Sequence, residues 1–471
     1  MEGLNWQEWG KAVFLKAKKE KKPVLLCISA RWCHWCHTMD RLTYSKKVIV
    51  EFVNKNFIPV RVDTDARPDI NERYNVGGWP TTAVLAGDGE MVSAATYVPP
   101  ERMIHFLENA IVCFKKYNPV KKKKAVKEKQ LEFDAENYYR IVKSYYDPVN
   151  GGFGLEPKFP NNDILAYLEW RIMKYKDVQA KEMLDRTLSK MLDGEIFDRI
   201  GGGFYRYATE QNWTIPHFEK MLEDNAKMLA DYTNGYFLLK KKEYFDVVNK
   251  TMFWLMSMMY DQDKGVFYGS QDADEAYCKL PLSERTRHVP PAIDKTIYTD
   301  ANATMALALF QAASIDKKYS AIALKLLESL YKMSFRGGVA HSYPSEKPLC
   351  LFKDSLLLLA ALIVAFKHTN RLEWKTKALI VAKAMEKFYD RKNGGFFDIL
   401  ASKNAVGKLK ERRKSVQDNG FAALVLNMLA EISKEEKYKK MAKKTLQALS
   451  TQAVILGPHA AFYAIAVEEL K

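Results

Sequence analysis

No stretch of this 471-residue chain approaches the ~18–20 consecutive apolar residues of a membrane-crossing helix. The longest candidate, Leu356 to Phe366, is far shorter. No membrane partner is therefore expected. The opening residues, MEGLNWQEWGKAVFLKAKKEKK, place acidic groups ahead of the lysines and lack an apolar core. They do not read as a secretion signal, and the expected location is cytoplasmic. Cysteine is sparse: six are scattered along the chain, and only Cys33 and Cys36 lie close together, which excludes a disulfide framework. Cys33, Cys36, His34 and His37 supply donors that a metal ion could use, but adjacent Cys-His pairs do not easily converge on one ion and the chain is without a second Cys-x-x-Cys, so a redox dithiol is expected here instead of a metal site. No cofactor is expected. Aromatic residues make up 12%, too many for an intrinsically disordered chain.

The net charge of +16 invites a nucleic-acid reading, but no basic patch interleaved with aromatics and no DNA-binding motif occurs. No nucleic-acid partner is expected. Part of the excess is local: residues 117–130, YNPVKKKKAVKEKQ, carry six lysines against one glutamate and lack apolar periodicity. This segment reads as a solvated linker. It divides the chain into residues 1–116 and 131–471.

In the first part, apolar residues at helical spacing predict a helix from Asn5 to Glu20. Val-Leu-Leu-Cys-Ile then makes a buried strand, followed at once by Cys33-His-Trp-Cys36-His37. Strand, loop and Cys-x-x-Cys at a helix start suit a redox dithiol. The unpaired N–H groups and positive dipole end of a helix favour thiolate over thiol. The second cysteine can resolve a mixed disulfide. A strand at Phe57–Asp63, one after Trp79-Pro80, a turn at Asp88-Gly89, a strand at Met91–Tyr97 and a closing helix over Glu101–Tyr117 complete the pattern. This order resembles a thioredoxin fold. The resemblance implies that Pro80 is cis and lies against the dithiol, making Cys33, Cys36 and Pro80 the expected catalytic set. It also exposes a departure, because Cys27 stands where thioredoxins usually carry a buried carboxylate.

From Lys129 onward strand signals vanish. A glycine-aromatic loop recurs instead, as Tyr146-Asp…Gly-Gly-Phe153, Phe197-Asp…Gly-Gly-Phe204, Tyr260-Asp…Gly-Val-Phe267 and Tyr389-Asp…Gly-Gly-Phe396. Each loop is followed by a helix that opens with Asp or Asn. Two helices per repeat and about twelve in all predict stacked hairpins closing into an (α/α)6 toroid of the six-hairpin glycosidase type. The glycines are expected to end the outer helices in the left-handed conformation. The whole chain thus reads as a multidomain α/β plus all-α protein, a thioredoxin-like fold followed by the toroid.

Two long loops are expected at the toroid mouth. The first brings Arg206, Tyr207, Trp213, His217, Glu219 and Asp224, and the second Asp272 and Asp274. Aromatic faces for C–H surfaces, with carboxylates and arginine for hydroxyls, form the mixture a sugar site needs. Asp163, Asp354 and Asp418 read as helix caps, and His341 and His459 as structural histidines.

Cys33-His-Trp-Cys-His37, Gly151-Gly-Phe-Gly-Leu-Glu-Pro-Lys-Phe-Pro160, and Gly201-Gly-Gly-Phe-Tyr-Arg-Tyr with Trp213-Thr-Ile-Pro-His-Phe-Glu-Lys-Met-Leu-Glu-Asp-Asn225 together resemble the spermatogenesis-associated protein 20 family of thioredoxin-domain proteins. The expected function is thiol–disulfide exchange with a protein partner through Cys33 and Cys36, coupled to a toroid that takes a carbohydrate ligand. The alternative is a carbohydrate-active enzyme, glycosidase or epimerase, or a carbohydrate-binding protein, with the thioredoxin-like domain as regulator. A non-enzymatic scaffold is the third reading.

Overall fold

The computed structural model describes residues 3–119, 131–345 and 348–471. Residues 120–130, most of the expected linker, lie outside them. The chain forms two compact units, Met1–Glu128 with Ile399–Arg412, and Lys129–Asp398 with Arg413–Lys471.

The first unit runs α1 (Lys11–Glu20), β1 (Val24–Ser29), α2 (His34–Leu42), α3 (Lys47–Asn56), β2 (Ile58–Asp63), α4 (Pro68–Tyr74), β3 (Thr81–Leu85), β4 (Met91–Ala95) and α5 (Pro100–Lys116). The sheet order is β2-β1-β3-β4, with β1 parallel to β2 and the other neighbours antiparallel. This is the thioredoxin-like arrangement. Every residue of β1 is buried, as its unbroken apolar run requires of a central strand. The first helix begins later than its periodicity predicts. Gln7 bridges Val60 at the sheet edge, and Gly10 marks the helix start.

Residues 399–412 complete this unit, although they fall in the stretch the sequence reading gave to the toroid. Arg73, buried, donates to the carbonyls of Lys408 (3.1 Å) and Glu411 (2.8 Å). The Tyr74 hydroxyl accepts from the Lys408 amide (2.8 Å) and donates to the Gly89 carbonyl (2.8 Å). A Cβ on Gly89, whose φ is +89°, would stand 2.2 Å from the Gly407 Cα. No other residue fits that approach.

The second unit alternates outer helices α6 (Ala135–Tyr145), α8 (Val178–Asp193), α10 (Lys242–Trp254), α14 (Lys318–Ser334), α16 (Leu372–Met385) and α18 (Glu436–Leu456) with inner helices. The inner ones are α7 (Asn162–Tyr175), α9 (Leu222–Leu239), α13 (Thr299–Ala312), α15 (Phe352–Thr369), α17 (Val416–Ser433) and α19 (Ala461–Glu469). Two short helices, α11 (Glu275–Cys278) and α12 (Leu282–Arg285), lie in the loop before α13. Each inner helix packs on the next, and α19 returns to α7, closing an (α/α)6 ring. Inner helices are apolar on most sides because they are covered by both neighbours and by their outer partner. In α15, for example, Leu358 to Ile363 are all buried.

The glycines of the aromatic loops do not end the outer helices. Tyr146 and Tyr389, the residues after the last helical turns, are extended and enter two-residue antiparallel bridges, Tyr146 with Phe153 and Tyr389 with Phe396. Phe197 with Phe204 repeats the bridge. The same device forms β8 (Tyr260–Asp261) and β9 (Val266–Phe267), which follow β5 (Tyr207–Ala208), β6 (Pro216–His217) and β7 (Lys220–Met221) in the chain. The Asp after the first aromatic holds the turn: Asp147 accepts from the amides of Val149 and Asn150, and Asp390 from those of Lys392 and Asn393. Gly152 and Gly395 supply the positive φ that the turn needs. The left-handed helix ends belong instead to Lys176, Lys240, Asn370 and Lys434, at the tight inner-to-outer turns.

Candidate functional sites in the two units

In the first unit, Cys33 occupies the amino-terminal cap of α2, and its Sγ accepts the Cys36 amide N–H at 3.1 Å. The two cysteines are joined as a disulfide, with Cα atoms 5.2 Å apart. The Trp79–Pro80 peptide is cis. Because Ile28 pairs with Thr81, Pro80 stands beside the end of β1 from which the dithiol loop departs. The surrounding loops are aromatic. Trp32 donates from Nε1 to Asp65 (2.6 Å) and meets Trp79 edge-on, while half-exposed Trp35 leans on Tyr97. The two histidines turn away from a common point: His34 Nε2 lies 3.4 Å from the Thr38 hydroxyl, and His37 Nε2 is 2.9 Å from the Arg31 carbonyl. Cys27 lies buried in β1 between Arg61 and Thr82. Burial pushes its thiol up to about 11, against the pull of Arg61. It is a neutral core group, not the proton-transfer carboxylate of the thioredoxin pattern.

In the second unit, the long loop between α8 and α9 builds a small surface. Tyr207 pairs with His217 across β5 and β6, and their rings stack at 4.3 Å. Phe159 covers Tyr207 at 4.6 Å, giving a three-ring stack. Glu219 Oε1 lies 3.7 Å from His217 Nδ1, and its Oε2 is buried without a hydrogen-bond partner among the described residues. The Arg206 amide donates to the His217 carbonyl, and its guanidinium lies 5.9 Å from the Tyr207 ring. β10 (Ser270–Gln271) pairs with β7 so that Gln271 faces Lys220, which sets Asp272 opposite Glu219. Arg206, Tyr207, His217, Glu219 and Asp272 are thus brought to one loop cluster. This cluster is anchored from below. Lys220 and Arg285 both bond to Asp198 Oδ2 at 2.7 Å, and although burial opposes its charge, they bring the Asp198 carboxyl down to about 2.

Two expected residues have other duties. Trp213 is fully buried and donates from Nε1 to the Asn150 carbonyl (2.9 Å), packing the loop instead of facing a ligand. Asp274 is the cap of α11, accepting the Tyr277 amide at 2.9 Å. Its short polar side chain answers an orphan N–H group, as capping predicts.

Asp224, expected as a ligand contact at the toroid mouth, falls in a second set of groups with Asp163, Asp354 and Asp418, which read in the sequence as caps, and His341, which reads there as structural. Asp163, Asp224, Asp300, Asp354 and Asp418 all stand in the first turns of inner helices. Asp354 does not cap its own helix: it accepts from His341 Nδ1 at 3.0 and 3.1 Å and from the Asp300 amide at 3.2 Å. Lys353 reaches Glu223 (3.0 Å) and Asp300 (3.2 Å), and Lys227 bonds Glu223 at 2.7 Å. Burial opposes the charge of Glu223, but the two lysines outweigh it and hold the carboxyl well below the usual range. Asp163, Asp224 and Asp418 are raised by burial. The signal was present in the Asp that recurs as the second or third residue of the inner helices and in the Glu223/Lys227 spacing of one turn.

The family model Thioredox_DsbH, described as a protein of unknown function, DUF255, matches residues 1–135. An uncharacterized protein of Caenorhabditis elegans is 32% identical over 58% of this chain and 41% of its own length. Spermatogenesis-associated protein 20 of Rattus norvegicus is 31% identical over 58% of this chain and 39% of its own. The matches thus span about two fifths of these relatives. The cellobiose 2-epimerase of Bacteroides fragilis is 28% identical over 34% of this chain and 38% of its own. Among solved structures, a D-mannose isomerase (TM-score 0.56, 13% identity) covers 71% of this chain and 96% of its own. The cellobiose 2-epimerase of Bacillus thermoamylovorans (TM-score 0.56, 12% identity) covers 71% and 98%. At such identities the structures establish the toroid fold alone.

Proposed function

We propose, starting from the chain's kinship with spermatogenesis-associated protein 20 and from its thioredoxin-like first unit, that it is a thiol–disulfide oxidoreductase whose toroid takes a carbohydrate ligand. The observation that carries the redox half is the Cys33–Cys36 pair at the start of α2, beside cis Pro80. In the reduced protein, the Cys33 thiolate attacks a partner disulfide and one partner sulfur leaves as thiolate. The Cys36 thiolate then attacks Cys33 Sγ and releases the second partner sulfur. The partner gains two electrons, and the Cys33–Cys36 disulfide is formed. In the opposite direction the same disulfide oxidises a partner dithiol. The helix amino terminus stabilises the Cys33 thiolate in both.

The test uses the full chain, reduced, freed of reductant and then offered a model protein disulfide, with the free thiols of the model protein alone counted over time by alkylation and mass spectrometry. Thiol release should accompany closure of Cys33–Cys36 and disappear in Cys33→Ser. Equal release by Cys33→Ser would refute the assignment.

The carbohydrate half rests on the Phe159–Tyr207–His217 stack beside Glu219 and Asp272. Ring faces take the C–H surface of a sugar, and the flanking carboxylates take its hydroxyls. The second reading, a carbohydrate-active enzyme with the first unit as regulator, uses the same groups: a carboxyl and an imidazole 3.7 Å apart are placed to move a proton at a bound sugar. A panel of mono- and disaccharides should raise the unfolding temperature of wild type and not of Tyr207→Ala. A panel without effect on wild type would refute both sugar readings and leave the scaffold.

A further inference from the structure

We propose that Asp300, His341 and Asp354 form a binding site for one divalent metal ion of the kind that accepts imidazole and carboxylate together, such as zinc or cobalt. The site is distinct from the dithiol, and the proposal does not depend on either reading above. Each of the three residues offers a ligand atom within 4.8 Å of the others. His341 Nδ1 is already 3.0 Å and 3.1 Å from the two Asp354 oxygens. Around a tetrahedral zinc, with bonds of ~2.0–2.2 Å, donor atoms lie about 3.4 Å apart, so His341 and Asp354 would part slightly from their present contact while Asp300 closes in from within 4.8 Å.

The donors sit on rigid supports. Asp300 and Asp354 come from the first turns of adjacent inner helices α13 and α15, and His341 from the loop that leads into α15. Their exposures are 9%, 0% and 3%. An imidazolium–carboxylate pair would account for His341 and Asp354 alone. It does not account for a second carboxylate, Asp300, held at the same point, where it repels Asp354.

The charge around the site favours a cation. Lys353 contacts Asp300 at 3.2 Å, but it is shared with Glu223, at 3.0 and 3.1 Å, and Lys227 is committed to Glu223 as well. Asp163, Asp224 and Asp418, in the first turns of α7, α9 and α17, have no ion-pair partner among the described residues. Carboxylates therefore outnumber the ammonium groups around the mouth of the inner ring. Lys353 acts as the resident counter-ion of Asp300 and keeps Glu223 when Asp300 turns to the metal. Three protein donors leave at least one coordination position for water or for a hydroxyl of a bound ligand.

The test is dialysis of the full chain, with Cys33–Cys36 kept oxidised so that thiolates do not compete, against cobalt chloride. Retention of one cobalt per chain is expected, with visible d–d bands, without a sulfur-to-cobalt charge-transfer band, and with displacement by zinc. His341→Gln and Asp354→Asn should each lose the bound ion. No retention by wild type, or undiminished retention by both variants, would overturn the proposal. If either variant fails to fold, pulsed paramagnetic resonance of the wild type loaded with manganese decides. Coupling to one imidazole nitrogen supports the site, and an all-oxygen ligand set overturns it.

Discussion

Three inner helices carry asparagine as their fourth residue, Asn225 in α9, Asn302 in α13 and Asn419 in α17, and each clamps the aromatic bridge of the loop before it. Asn225 is fully buried; its Oδ1 accepts the Phe204 amide at 2.6 Å, and its Nδ2 donates to the carbonyls of Phe204 (3.0 Å) and Met221 (2.9 Å). Asn302 repeats this on Phe267, and Asn419 on Phe396. Asn225→Ala removes three hydrogen bonds at ~1 kcal/mol each and leaves a buried N–H without an acceptor, so the expected loss is about 3–4 kcal/mol. The ring's unfolding midpoint should fall by roughly 5 °C or more. The protein contains its own control. The fourth residue of α15 is Ser355, buried, with its hydroxyl unpartnered among the described residues. Ser355→Ala should change stability by less than ~1 kcal/mol, because no bond is lost. Thermal unfolding measures both variants, and hydrogen exchange at the Phe204 amide localises the effect. If Asn225→Ala shifts the midpoint no further than Ser355→Ala, or leaves Phe204 exchange unchanged, the clamp does not hold the loop.

Other consequences can be measured as directly. Burial raises the Asp231 carboxyl to about 8, against the hydrogen bond from Asn162, and it lies near buried Glu169, which is also raised. An acid that is protonated when folded but ionised when unfolded stabilises most fully below its unfolded value and loses that contribution as pH rises toward 8. Unfolding free energy should therefore decline more steeply between pH 4 and 8 in wild type than in Asp231→Asn, by up to ~1.4 kcal/mol per pH unit; parallel slopes would contradict it. Arg73→Ala removes the bonds to Lys408 and Glu411, and trypsin should then cleave within 399–412 well before the rest of the chain. Unaltered cleavage there would show that other contacts hold the segment. Native protein treated with iodoacetamide at pH 8 should label exposed Cys113 and spare Cys27, whose thiol is buried and raised to about 11. Equal labelling by mass spectrometry would argue against that burial.

The sequence made the first unit legible because its signals are local. A Cys-x-x-Cys directly after an apolar run, a Trp-Pro before another, and an Asp-Gly turn each fix a neighbour a few residues away. The ring was legible through repetition, since each hairpin restates the same aromatic, aspartate and glycine positions. The charged mouth was not. Asp163, Glu223, Asp300, Asp354 and Asp418 are separated by as much as the length of the ring, and only closure of α19 on α7 gathers their helix starts. Read singly, an aspartate in a first turn resembles a cap. Trp213 and Asp274 show the opposite error: both lie in polar loops of ligand-like composition, yet one is consumed in packing and the other in capping.

The segment 399–412 has a consequence for how the protein is made. The first unit is assembled from two stretches, with Lys129–Asp398 between them. A ribosome working at ~5–20 residues per second needs roughly 15–55 s to cross that interval. Throughout it, Arg73 and Tyr74 have emerged without the carbonyls and amide that complete them. The amino-terminal unit cannot finish folding first, as vectorial synthesis would otherwise allow. Its last contacts wait until four of the six hairpins and the outer helix of the fifth have been translated, so the nascent dithiol unit spends that time as an unfinished substrate for chaperones and oxidants.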